Sequence, residues 1–107
     1  MKNSIRCCIV LAAMVCFTGA AGFAQTSGEA IYKGKCLNCH GPAGLANSGV
    51  GKLMKVKPVT DPDVRKMTEI EMVQLTRDGQ GKMQAYTGEL SDAQTKATVD
   101  YFRTFLK

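Results

Sequence analysis

Residues 36–40 read Cys36-Leu37-Asn38-Cys39-His40. Two residues between the cysteines let one helical turn present both sulfurs on one side, and the next residue adds an imidazole. Thiols at this spacing reach the two vinyl groups along one side of a porphyrin and form thioethers. The adjacent His40 then offers its ring to the iron from one face. That ligand comes at little entropic cost, because its neighbour is already bonded. The pentapeptide is the covalent haem attachment motif, and it assigns Cys36, Cys39 and His40 to one c-type haem.

Other uses of two cysteines and a histidine fit less well. A structural zinc site takes four ligands. Once the N-terminal cysteines are set aside, the chain offers three, in one cluster that cannot close a tetrahedron. A redox dithiol expects a strand-helix-strand setting, and no run of alternating residues reads as a strand. A disulfide across two residues would staple a small all-helical domain poorly.

His40 is the only histidine in the chain, so the sixth iron position is not filled by a second imidazole. Methionine thioether is the next donor. Met72 falls inside an expected helix and reads as core, and Met67 reads as a packing residue at that helix's start. Met83 lies in a loop between two capped helices, behind Gly79 and Gly81, whose backbones can approach a porphyrin closely. It is the first choice for the second metal ligand. Met54, in a basic loop, is the alternative, and an open site is the third reading.

Outward from the motif, the N-terminus is of another kind. Lys2 and Arg6 precede the apolar run from Cys7 to Phe17, and small residues follow at Gly19, Ala20, Ala21 and Gly22. Basic, then apolar, then small is the order of a secretory signal peptide. The apolar core is shorter than the ~20 residues of a membrane-spanning helix, so no stable membrane anchor is expected. Cleavage is expected after Ala24, with Ala21 as the runner-up, giving a signal peptide at 1–24 and one domain at 25–107. Cys7, Cys8 and Cys16 leave with the signal. A domain this small has a modest core and often needs a metal, disulfides or a cofactor.

The domain reads as four helical pieces. Ser27 caps a first helix over 28–36. A glycine- and proline-rich loop runs from Gly41 to Val59. Asp61 opens a short turn with Pro62 at its first position. Thr68 and Glu71 form a capping box, with Met67 stapling onto Met72, and Gly79 closes that helix. Ser91 and Gln94 form a second box, and Thr98, Tyr101, Phe102 and Phe105 recur at helical spacing along one buried face.

With these residues in place, nearly the whole of 25–107 resembles a class I bacterial cytochrome c of the short monohaem type. Gly28, Ile31 and Tyr32 before Cys36 resemble its first helix. Gly79-Gln80-Gly81-Lys82-Met83-Gln84-Ala85-Tyr86 resembles its axial methionine segment. Leu90-Ser91 and Tyr101-Phe102-Arg103 resemble its closing helix. The resemblance implies an all-α cytochrome c fold, three to five helices around one covalent haem, with His40 and Met83 on the iron. It also implies that the first and last helices cross at Gly28, facing Tyr101. Two departures stand out. Gln84 replaces the proline that often follows the methionine, which predicts a looser loop. No loop proline is well placed to accept the His40 Nδ1 proton, since Pro42 is too near and Pro58 too far along.

The function expected is one-electron transfer in the periplasm by a carrier that is not itself an enzyme, since no nucleophile–base pair is legible. Leu37, Leu53, Val59, Leu75, Tyr86 and Tyr101 are the expected apolar shell of the haem. Without Lys2 and Arg6 the charge excess is small, too small to argue for nucleic acid. Lys33, Lys35 and Lys82 near the haem segments predict a basic rim that steers a redox protein with an acidic docking surface. The carrier is expected to be a monomer.

Overall fold

The computed structural model of the chain describes residues 27–107, and the expected signal peptide with its cleavage sites lies outside them. Where each helix begins is set by a local side chain. Ser27 accepts from the Ala30 amide and starts α1, Gly28–Lys35. Ser48 accepts from the Gly51 amide and starts α3, Gly49–Leu53. Asp61 caps α4, Pro62–Lys66, with proline in its first turn. The two expected capping boxes both form, Thr68 with Glu71 at α5, Glu69–Asp78, and Ser91 with Gln94 at α6, Asp92–Arg103. A one-turn helix α2, Leu37–His40, follows α1 directly, and a 3-10 turn, Thr104–Leu106, extends α6.

The fold is all-α. Among the described residues there is no strand, only isolated bridges at Gln80–Met83 and Thr87–Leu90. Among the described residues six α-helices stand where three to five were expected. Beyond the four pieces legible in the sequence, the added elements are the one-turn α2 at the attachment motif and α3, inside the segment that reads as loop. The glycines of α3 argue against a helix by propensity, but Gly51 is buried where a side chain could not be. A Cβ there would lie 2.5 Å from the Cys39 carbonyl oxygen and 2.7 Å from that of Ala46. Tertiary packing of α3 on α2 therefore overrides propensity.

α1 and α5 both pack on α6. The α1–α6 crossing is at Gly28, as expected, but it faces Ala97 and Thr98, one turn before Tyr101. Tyr101 instead packs against Tyr32, with the rings tilted by 59° at a centroid distance of 5.3 Å, one turn along both helices. Tyr32, Tyr101, Phe102 and Phe105 form one aromatic cluster. Such ring pairs add about 0.5–1.5 kcal/mol each beyond area burial. Gly44, at φ +70°, lays its backbone against Val59, Phe105 and Phe102, and its carbonyl takes the Val59 amide at 2.9 Å. The loop after the motif is thus wrapped onto the cluster.

The apolar core is otherwise sparse. Tyr32, at 1% exposure, is the one large side chain fully buried among the described residues. The space between the helices is occupied by a cavity.

Candidate haem site

That cavity has a volume of about 980 Å³, at the top of the range for cofactor pockets. Cys36, Cys39 and His40 lie on one wall and Met83 on its lining, so all four sequence-predicted site residues share one space. The two cysteines are not joined in a disulfide. Among the described residues no three His, Cys, Asp or Glu side chains converge on a common point.

Several contacts hold the motif in place. Tyr32 donates its hydroxyl to the Gly41 carbonyl, immediately after His40. The Tyr86 hydroxyl donates to the Lys35 carbonyl at 3.2 Å, immediately before Cys36. The Ser48 hydroxyl donates to the Asn38 carbonyl at 2.7 Å. The His40 ring meets Phe102 edge-on at 5.4 Å. Burial lowers the His40 pKa, which keeps the imidazole neutral, the form that binds iron. Burial, more than its neighbours, pushes the Cys36 thiol up to about 11. His40 Nδ1 is buried without a hydrogen-bond partner. Neither Pro42 nor Pro58 supplies the acceptor.

The methionine segment is tighter than the missing proline suggested. Gln80 and Met83 exchange both backbone hydrogen bonds, at 3.0 and 2.9 Å. Tyr86 and Thr87 amides donate to the Thr76 and Arg77 carbonyls, which pins the segment to α5. Gly79, at φ +77°, leaves no room for a side chain, since a Cβ would lie 2.8 Å from both the Ala85 nitrogen and the Met83 oxygen. Its role is thus to let the chain return on itself. At Gly81, φ +55°, a Cβ would meet open space.

All four methionines of the domain line the cavity, including Met67 and Met72, whose sequence positions predict local packing only. Arg103 draws two of them together. Its guanidinium donates to the Met67 carbonyl at 3.1 Å and lies 3.7 Å from the Met72 sulfur. Of the expected apolar shell, Leu75 and Tyr86 line the cavity, and Leu37, on α2 beside Cys36, does not. Leu53 points away at 75% exposure, Val59 packs under Gly44, and Tyr101 packs on Tyr32. The rest of the apolar lining comes from Tyr32, Val50, Val56, Val64, Val99 and Phe102. The spacing of Val50 and Met54, one turn apart, was the available signal for the α3 wall.

A volume this large, walled by apolar side chains and thioethers and holding two thiols with a neutral imidazole, fits a haem. The buried core is sparse, of the kind that a bound cofactor often completes in a small domain.

The family described as "Cytochrome C oxidase, cbb3-type, subunit III" matches residues 23–102. The fold is similar to the structure of the KustC0563 c-type cytochrome, at 23% identity and a TM-score of 0.69, over 76% of this chain and 99% of that one. It is also similar to a chain of the Kuenenia stuttgartiensis reducing HAO-like protein complex Kustc0457/Kustc0458. That likeness is 20% in identity with a TM-score of 0.56, over 73% of this chain and 40% of that one. No curated protein sequence matches the chain.

Proposed function

The chain belongs to the cytochrome C oxidase, cbb3-type, subunit III family, a c-type cytochrome domain that transfers electrons through haem c, and on that premise we propose the particulars of its site and setting. One haem c is held by thioethers from Cys36 and Cys39, with His40 and Met83 as the two metal ligands. The observation that carries this reading is the cavity of about 980 Å³ with all four residues on its lining.

When bound, the haem supplies a one-electron iron couple. His40 contributes a neutral imidazole from the α2 wall, held by the contacts of Tyr32 and Ser48 to its turn. Met83 contributes a thioether, a weak donor that favours the reduced state and raises the potential. The apolar lining excludes water and acts in the same direction. Met83 is favoured over the other three methionines by its surroundings. Met54 is the C-cap of α3, which packs on the same α2 wall as His40. Met72 has its sulfur beside Arg103. Met67 is the C-cap of α4. Met83 alone sits in a closed turn pinned to α5.

The protein is an exported periplasmic carrier, cut from its signal peptide at Ala24, monomeric, and not itself an enzyme. Its partners are redox proteins with acidic docking surfaces. No helix among the described residues is long and apolar enough to cross a membrane. A second reading, as the electron-carrying subunit of a larger oxidoreductase, is favoured by the family's description as a subunit. Purification of the exported protein tests both. Mass spectrometry should give the chain from residue 25 plus one haem, and a redox titration one reversible one-electron step with a low-spin ferric spectrum. A chain without added haem mass refutes the reading. Stable co-purification with a catalytic chain replaces the free carrier by the subunit.

A further inference from the structure

Resting on that electron-carrier reading, we propose that α3 and the turn that follows it form the docking surface for the redox partner. Leu53 is its apolar centre, and Lys52 and Lys55 are its cations. The occupant is a protein presenting an apolar patch rimmed by carboxylates.

Four large apolar residues are strongly exposed among those described, and three of them, Leu45, Val50 and Leu53, fall within one short segment. A single exposed leucine needs no explanation, but several together on one surface mark an interaction site. Val50, at 47% exposure, also lines the cavity, so the patch borders its mouth.

Charge sorts the lysines. Lys33 is paired with Glu29 at 2.7 Å, Lys35 with Glu89 at 3.3 Å, and Lys57 with Asp63 at 2.6 Å. Lys52 and Lys55 enter no ion pair among the described residues. No Asp or Glu occurs between Glu29 and Asp61. The rim expected at Lys33, Lys35 and Lys82 is therefore largely neutralised at its first two members; Lys82 keeps its charge unpaired among the described residues, and in the stretch without carboxylates Lys52 on α3 and Lys55 just past its C-cap do the same. Such charge steers encounter with an acidic partner and sets the association rate, while the apolar centre holds the complex.

The position suits electron exchange. Gly51 lets the α3 backbone touch the Cys39 carbonyl with no side chain between, and Ser48 fastens the same helix to Asn38. A partner seated on α3 is one helix away from the turn that carries Cys36 and Cys39, on a helix packed against and hydrogen-bonded to that turn.

The test uses the full mature haem-loaded protein on gold coated with mixed carboxylate- and methyl-terminated thiols, a surface of the stated chemistry. At low salt the wild type should adsorb and give a reversible surface wave. Leu53→Ser should weaken adsorption to the mixed surface by about threefold or more, and Lys52→Glu with Lys55→Glu by about tenfold. Lys33→Glu with Lys35→Glu changes net charge equally and should cost about twofold or less. Equal losses for the two charge pairs overturn the placement on α3, as does an unchanged Leu53→Ser. A wild-type dimer in sedimentation that Leu53→Ser dissolves overturns the partner, since the patch would then join two copies. Each variant is also titrated with a freely diffusing mediator. Absence of a redox step there, in the wild type, removes the carrier reading itself, whereas an intact step with indifferent adsorption removes only the docking surface.

Discussion

The carbonyl oxygen of Ala97 occupies the space where a side chain on Gly28 would begin, and a Cβ built there would stand only 2.0 Å from it. The obstacle is backbone, so no rotamer change relieves it. α1 and α6 meet at this point and, one turn further on, through Tyr32 and Tyr101.

Gly28→Ala must push the two helices apart. Overpacking of this kind costs about 1–3 kcal/mol, and more when backbone is the obstacle. In a domain this size 3 kcal/mol lowers the melting temperature by roughly 12–24 °C. Thermal unfolding of the haem-loaded variant, followed by circular dichroism, should show that drop while the haem stays attached. A variant melting within about 3 °C of wild type would mean that the helices do not touch here.

Met83→Ala should remove the weak sulfur-to-iron charge-transfer band of the ferric protein and lower the potential by on the order of 100 mV. Haem should remain, because on the proposed reading Cys36 and Cys39 hold it covalently. Met54→Ala should leave band and potential close to wild type. The reverse pattern would reassign the ligand to Met54, and a wild type lacking the band would point to an open sixth position.

Removing the haem should unfold most of the domain. The described helices run from four to twelve residues, and helices shorter than ~12–15 residues are marginal alone. The cavity of about 980 Å³ would lose its contents. Far-ultraviolet circular dichroism of chain in which Cys36 and Cys39 are both alanine should show little helix and no cooperative melt. A native-like spectrum would show that the helices pack without the cofactor.

Glu71 supplies a pH dependence with a definite sign. Its carboxylate accepts from the Thr68 backbone amide at 2.7 Å and from the Thr68 hydroxyl at 3.0 Å. These bonds, the backbone one first, hold its pKa below the ordinary 4.5. The stabilisation is therefore fully present above 4.5 and is lost as pH falls through the depressed folded value. Glu71→Gln keeps an acceptor that does not titrate. Its melting temperature should change less than wild type's as pH drops below 4.5. Identical acid profiles for the two proteins would remove the box from the account.

Helix starts were legible because a cap is a local event. Ser27, Asp61, Thr68 and Ser91 each bond an amide two or three residues ahead, and sequence alone shows that spacing. α3 was not legible, because Gly49 and Gly51 look like loop until the carbonyls of Cys39 and Ala46 are in place against Gly51. The attachment motif was readable as a unit, and its residues do line one cavity with Met83. The apolar shell was read less well. Whether a residue such as Leu53 faces the cavity or the solvent depends on how a short helix is rolled, and five residues are too few for periodicity to fix that.

Tyr32 stands four residues before Cys36, yet its aromatic neighbours Tyr101, Phe102 and Phe105 all come from residue 101 onward. A chain made from its N-terminus thus presents the attachment turn long before the residues that pack on Tyr32 have arrived. Contacts so distant in sequence form late, since the intervening loop must close first. The interval between the two events is the time in which Cys36 and Cys39 stand more open to an incoming haem. Closure of α6 over α1 then acts as the final latch, and a chain stopped before residue 101 would remain permanently at the open stage.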